Sequence, residues 1–203
     1  MVRIFVEGKG DEKFIETYLE FMSSNFELKK YETIKAGGWT KLDKIDNQFK
    51  ENTDSGGTNL VVFDADSPEK KGGFKRRKAA LNAQKKALNI EFELFLFPNQ
   101  SDDGDFELLL ENVINNKHSN ILTCFEEYEN CLRNLTDAEG NQRYSLPMRK
   151  AKIYSYIDAF HKSSRQNEKF KKGDYFFGNS DFWNLKSGYL NPLKTFLLVQ
   201  LKI

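Results

Sequence analysis

The sequence predicts an α/β fold: a four-stranded, mainly parallel sheet flanked by helices, continued by a mainly helical C-terminal extension. Three observations predict it. Short β-branched or aromatic runs alternate with 3.6-residue apolar stripes in a β-α-β-α-β-α-β-α rhythm through about residue 115, and such alternation implies parallel strands joined by right-handed crossovers. Two of the runs, at residues 2–6 and 60–63, end abruptly in carboxylates. Beyond about residue 117 the strand pattern stops and helical periodicity continues alone.

Residues 2–6 (Val-Arg-Ile-Phe-Val) alternate and read as the first strand. Phe14, Ile15, Tyr18, Leu19 and Met22 form the stripe of a helix over 11–23, with Asp11 placed to cap it. Residues 30–35 read as the second strand, ended by Gly37-Gly38. Trp39, Leu42, Ile45 and Phe49 share one side of a helix over 39–51, and a polar loop leads to the third strand at 59–63. A charged, glycine-bearing loop over 67–73 precedes a basic helix over 75–88. The fourth strand runs from Glu91 to Phe97, closed by Pro98, and a helix follows over about 105–115. In the extension, residues 121–134, 149–162 and 192–200 read as helices, and 173–192 is aromatic and turn-rich. No linker separates the parts, so residues 1–116 and the extension 117–203 are expected to pack as one unit.

The chain has 203 residues, 39% hydrophobic and 14% aromatic, enough for a substantial core. Its net charge of +1 gives no global nucleic-acid signal. Local charge says more: residues 70–86 carry eight Lys or Arg and no acid, whereas 101–111 carry five Asp or Glu and no base. No apolar run approaches the roughly 20 residues of a membrane span, and the first residues enter a strand without a leader pattern. Cys124 and Cys131, seven apart, fall on one helix face about 10 Å from each other, too far for a mutual disulfide. They are expected as core-facing thiols in a reducing cytoplasm. With only two histidines, a zinc site is not expected.

The chemistry sits at the strand ends. If the first and third strands are parallel neighbours, Glu7, Asp64 and Asp66 meet at the carboxyl edge, where open α/β sheets place their ligands. Residues i and i+2 of a strand point the same way, so Asp64 and Asp66 can converge on one cation across the small Ala65. Gly8-Lys9-Gly10 permits a tight turn near a phosphate or metal. Hard oxygen ligands of this kind suit Mg²⁺. Each element also has a plainer reading. An Asp-x-Asp after a strand can be a cap or a surface pair. Asp11 can be a simple N-cap, Glu107 a first-turn acid favoured by the helix dipole, and Lys9 a surface lysine.

Val6-Glu7-Gly8-Lys9-Gly10-Asp11, Gly37-Gly38 and Asp64-Ala65-Asp66 together resemble the motifs of the Toprim domain, a Rossmann-like fold. Topoisomerases, bacterial primases, small ribosomal-RNA maturation nucleases and the overcoming-lysogenization-defect (OLD) nucleases share that domain. The resemblance covers about residues 1–115. Phe97-Pro98-Asn99 followed by Phe106-Glu107-Leu108-Leu109-Leu110 is similar to small, functionally uncharacterised OLD-related Toprim proteins of bacteria. The resemblance implies phosphoryl transfer on DNA or RNA. Glu7 would be the general acid/base or a metal ligand, Asp64 and Asp66 would bind Mg²⁺, and Asp11 would match the second acid of the first motif. Glu107 would add a further carboxylate, and Lys9 would touch a phosphate. Two ions would suit in-line hydrolysis, with Mn²⁺ able to substitute. Lys70, Lys71, Lys75, Arg76 and Arg77, directly after the Asp-x-Asp, could track a nucleic-acid backbone, or form an ordinary solvated helix face.

The chain lacks the strand-passage parts of a topoisomerase, a primase body and a Walker A motif. A stand-alone nuclease, or a unit acting with a partner such as an ATPase, is what remains. Two other readings compete: a non-catalytic Toprim module binding metal, nucleotide or protein, and a nucleotide-sugar transferase using the Asp-x-Asp. The transferase gives Glu7 no task. Phe182, Trp183 and Tyr189 are expected to pack the extension onto the sheet rather than to stack bases, and His118 and His161 show no partner pattern.

Overall fold

The computed structural model of the protein describes residues 1–203. Four strands, β1 (Val2–Val6), β2 (Tyr31–Lys35), β3 (Thr58–Asp64) and β4 (Glu93–Phe97), form a sheet of order β2-β1-β3-β4. Every pairing is parallel, so the sheet is wholly rather than mainly so. The architecture is Rossmann-like α/β, with the helical extension the sequence predicts.

The alternation along the strands sorts their side chains into two cores. Val2, Ile4 and Val6 of β1, Leu60 and Val62 of β3, and Phe95 and Phe97 of β4 face α1 (Lys9–Ser23) and the C-terminal half of the chain. Phe5, Val61, Phe63 and Leu96 face the opposite layer, built on Leu42, Phe49 and Leu81. That second layer holds α2 (Asp46–Asp54) and α3 (Phe74–Leu88). The helix expected over 39–51 is split: a 3₁₀ turn over Trp39–Lys44 precedes α2, because Ile45, at φ −128° and ψ 12°, leaves the helical path. Asp11 does not cap α1 from outside. Gly8 is the capping residue, and Asp11 reaches back from the first turn to accept the Gly8 N–H at 3.1 Å.

After β4 come α4 (Phe106–Glu111), capped by Asp105, then α5 (Ser119–Asn134) and α6 (Arg149–Asp158). The chain closes with α7 (Ser164–Lys171), α8 (Asn191–Leu201) and the aromatic turns between them. The larger core draws on both parts of the chain: Ile153, Tyr156, Trp183, Leu193 and Leu197 pack with Phe14, Leu19 and Leu109. Phe182 and Trp183 are buried there, and the Trp183 indole N–H donates to the Tyr175 carbonyl at 2.8 Å. The cysteines depart from expectation. α5 buries none of its residues, and Cys124 and Cys131 are exposed, because only Ile121 and Leu122 of that helix press against the core. No helix is long and apolar enough to cross a membrane.

Candidate metal centre at the carboxyl edge

Parallel register brings the acidic strand ends together. Val6 is level with Val62, which sets Glu7 beside the last residues of β3. The Asp64 N–H donates to Glu7 Oε1 at 3.2 Å. Asp64 ends β3, and its Oδ1 accepts the N–H of Phe106, the first residue of α4, at 2.8 Å. Glu7, Asp11, Asp64 and Glu107 line one cavity of about 250 Å³, floored by Gly8, Gly37, Gly38 and Phe106. Gly37 and Gly38 have φ of +75° and +116°, a conformation that glycine adopts without strain, so this turn can pass close to the acids. A larger cavity of about 360 Å³ lies elsewhere, beside Phe21, Asn115, Phe177 and Asn184. Lys186 is its only charged residue, so the chemistry points to the smaller one.

Burial raises all four carboxyls. Glu7 is pushed up to about 7 by desolvation, against the Asp64 N–H, with the charges of Asp11 and Asp66 adding to the rise. Asp11 is pushed up to about 6, first by burial and then by Glu107 once its own hydrogen bonding is counted against it. Burial, then the Glu7 charge, holds Asp64 well above its ordinary range. Glu107 is raised by burial and by Asp105. Four acids crowded with little compensating charge form a site whose deficit is positive charge.

The donor set is all oxygen. One oxygen each of Glu7 and Asp64 is tied to a backbone N–H, and no protein donor holds the other. Those free oxygens are not buried orphans, since only Arg77 Nε and His118 Nε2 are. No three acidic or imidazole side chains stand as a closed ligand cluster. An ion here would therefore rest on one or two carboxylates, with waters and substrate oxygens completing its shell, a mode open to Mg²⁺.

The other expected residues are placed differently. Asp66 does not line the cavity. It lies two residues past the end of β3 with φ +58°, so the strand rule that would align it with Asp64 no longer applies, and its carboxylate pairs with Arg77. Arg77 is itself only 4% exposed and therefore no part of a basic surface. Lys71, Lys75 and Arg76 are exposed, and Lys70 reaches Asp105 at 3.5 Å. Lys9 opens α1 outside the acidic cavity and donates to the Lys172 carbonyl at 3.1 Å. It lines an adjoining cavity of about 220 Å³ with Asp11, Glu107, Lys150 and Tyr175.

Lys150, Tyr175 and Asp105 escape the reading of the sequence. Lys150 and Tyr175 come from the extension, far along the chain from the motifs. The capping role of Asp105 was open to view in its place just before an apolar run. Neither the curated proteins nor the solved structures contain a match to the chain. Residues 1–199 match the family described as Protein of unknown function (DUF3226), and the chain belongs to that family.

Proposed function

We propose that the protein is a Mg²⁺-dependent nuclease, or a related phosphoryl-transfer enzyme, acting on DNA or RNA in the cytoplasm through a Toprim-like acidic site. The observation that carries this reading is the joining of Glu7 to Asp64 at the carboxyl edge, with Asp11 and Glu107 on the same cavity. Glu7 and Asp64 would hold the ion by their free oxygens, with water and substrate oxygens completing its shell and Asp11 and Glu107 adding negative charge from the same cavity. Mg²⁺ so bound, or Mn²⁺ in its place, supplies Lewis-acid polarisation of a phosphoryl oxygen and a more acidic bound water. Lys9 and Lys150 border the adjoining cavity, where cations suit a neighbouring phosphate. The exposed Lys71, Lys75 and Arg76 would follow the backbone beyond it. The central place of Glu7 disfavours the sugar-transferase reading.

The test is cleavage of plasmid DNA and structured RNA with Mg²⁺ or Mn²⁺, wild type against Asp64→Asn. Metal-dependent cleavage that falls by about 100-fold or more in the variant is expected, since the charged metal ligand is lost while an amide oxygen can still accept the Phe106 N–H. Wild type that is folded and binds nucleic acid or a partner protein without cutting either substrate would turn the assignment to a non-catalytic or partner-dependent module.

A further inference from the structure

We propose that Arg77 is a built-in cation that withdraws Asp66 from the metal set, so that the acidic cavity takes one divalent ion rather than two. This rests on the metal-dependent reading above and narrows it.

Three features lock Asp66 where it is. Its backbone sits at φ +58°, and its carbonyl accepts the Gly104 N–H at 3.0 Å. The Gly73 N–H holds the preceding Ala65 carbonyl at 2.9 Å. Gly72 lies flush against both: a Cβ there would fall 2.4 Å from the Asp66 Cβ and 2.8 Å from the Ala65 oxygen. Only glycine allows that closure of the backbone, and the Asp66 side chain it carries lies outside the cavity lined by Glu7 and Asp64, held there by Arg77.

Arg77 is equally fixed. Its N–H donates to the Gly73 carbonyl at 2.8 Å in the first turn of α3. Its guanidinium lies 3.9 Å over the Trp39 ring, and Nη2 meets Asp66 Oδ2. The Nε is buried with no partner, so Asp66 is the only carboxylate that answers this charge directly. A guanidinium stays protonated across the working pH range. A second divalent ion on Asp66 would have to displace this guanidinium or sit against it, and like charges in contact repel.

The experiment is a Mn²⁺ titration of the full chain, with free Mn²⁺ read by electron paramagnetic resonance, and needs no nuclease activity. Wild type is compared with the double variant Asp66→Asn, Arg77→Met, which removes one charge of each sign. Wild type is expected to bind one ion. The double variant is expected to keep it with affinity changed by less than about 10-fold, the smallest effect typical of losing a residue that supports a ligand. Arg77→Met alone, which frees the Asp66 carboxylate, is expected to gain a second, weaker ion. Two ions in wild type would overturn the inference while leaving the metal reading intact. So would loss of the single ion from a double variant that circular dichroism shows to be folded. No saturable Mn²⁺ in wild type would overturn both. If the double variant does not fold, the wild-type stoichiometry decides alone.

Discussion

Glu7 carries its burial as a liability that protonation relieves, and stability must report it. In the folded chain its carboxyl is pushed up from 4.5 to about 7, and that of Asp11 from 3.8 to about 6. Between those limits the folded state binds more protons than the unfolded one, so stability falls as pH rises and is lowest above about 7. The Glu7 shift alone corresponds to roughly 3 kcal/mol, shared in part with its acidic neighbours. His118, held below its ordinary value by burial, works weakly the other way. Urea denaturation without metal should therefore give a higher midpoint at pH 5.5 than at pH 8, and Glu7→Gln should flatten that slope; a midpoint that rises steadily toward pH 8 would contradict it. Metal reverses the sign, because its ligands must shed protons. The gain in melting temperature on adding Mg²⁺ should grow from pH 5.5 to pH 8. Residue identity was legible here and residue direction was not. The Asp-x-Asp pattern names Asp64 and Asp66 alike, but the left-handed backbone at Asp66 arises from the Gly72 closure and a partner on α3, neither visible in a three-residue motif.

Elements that bury a regular stripe were legible, and those shaped by their ends or by distant partners were not. The four strands and α1 follow from apolar runs and 3.6-residue spacing, because one face of each meets a core, whereas α3 and α8 were legible as a basic and an apolar run. The stripe Trp39, Leu42, Ile45, Phe49 also holds its side, yet the backbone under it breaks at Ile45, since periodicity records which residues face inward and not whether the hydrogen-bond ladder is continuous. α7 has almost no stripe to read. Its signal was the capping box, with Ser163 Oγ accepting from Gln166 N–H and Gln166 Oε1 accepting from Ser163 N–H. α4 matters most to the site, because its first N–H holds Asp64. Asp105 fixes that end, accepting from the Leu108 N–H at 3.1 Å and from Arg149 at 3.0 Å. Asp105→Ala should cost about 1–3 kcal/mol, the loss of a cap and of an ion pair whose Asp105 half is buried and whose Arg149 half is exposed. Asp105→Asn, which keeps a capping oxygen, should cost less. Paired urea titrations would separate the two, and equal losses would show that the charge rather than the cap fixes α4.

At the scale of the whole molecule, the extension is a structural half of the domain rather than an appendage. Eleven of the 28 buried residues in the larger core lie beyond residue 150, from Ile153 to Leu201. Removing them would uncover the apolar face of α1, α4 and three strands. Each apolar side chain so uncovered forfeits about 1.5–3 kcal/mol of burial, a large loss for a fold whose net stability is small. The extension also carries Lys150 to the cavity beside Asp11 and Glu107, and Arg149 to Asp105, which ties the site to the intact chain. The fragment 1–116, although it contains the whole sheet and every acidic motif, should therefore fail to fold. Expected are a broad urea transition, strong binding of an apolar dye and no near-ultraviolet circular dichroism. A sharp transition with native-like near-ultraviolet signal from that fragment would show instead that the sheet and its first helices close a core of their own, with the extension added only to complete the cavity.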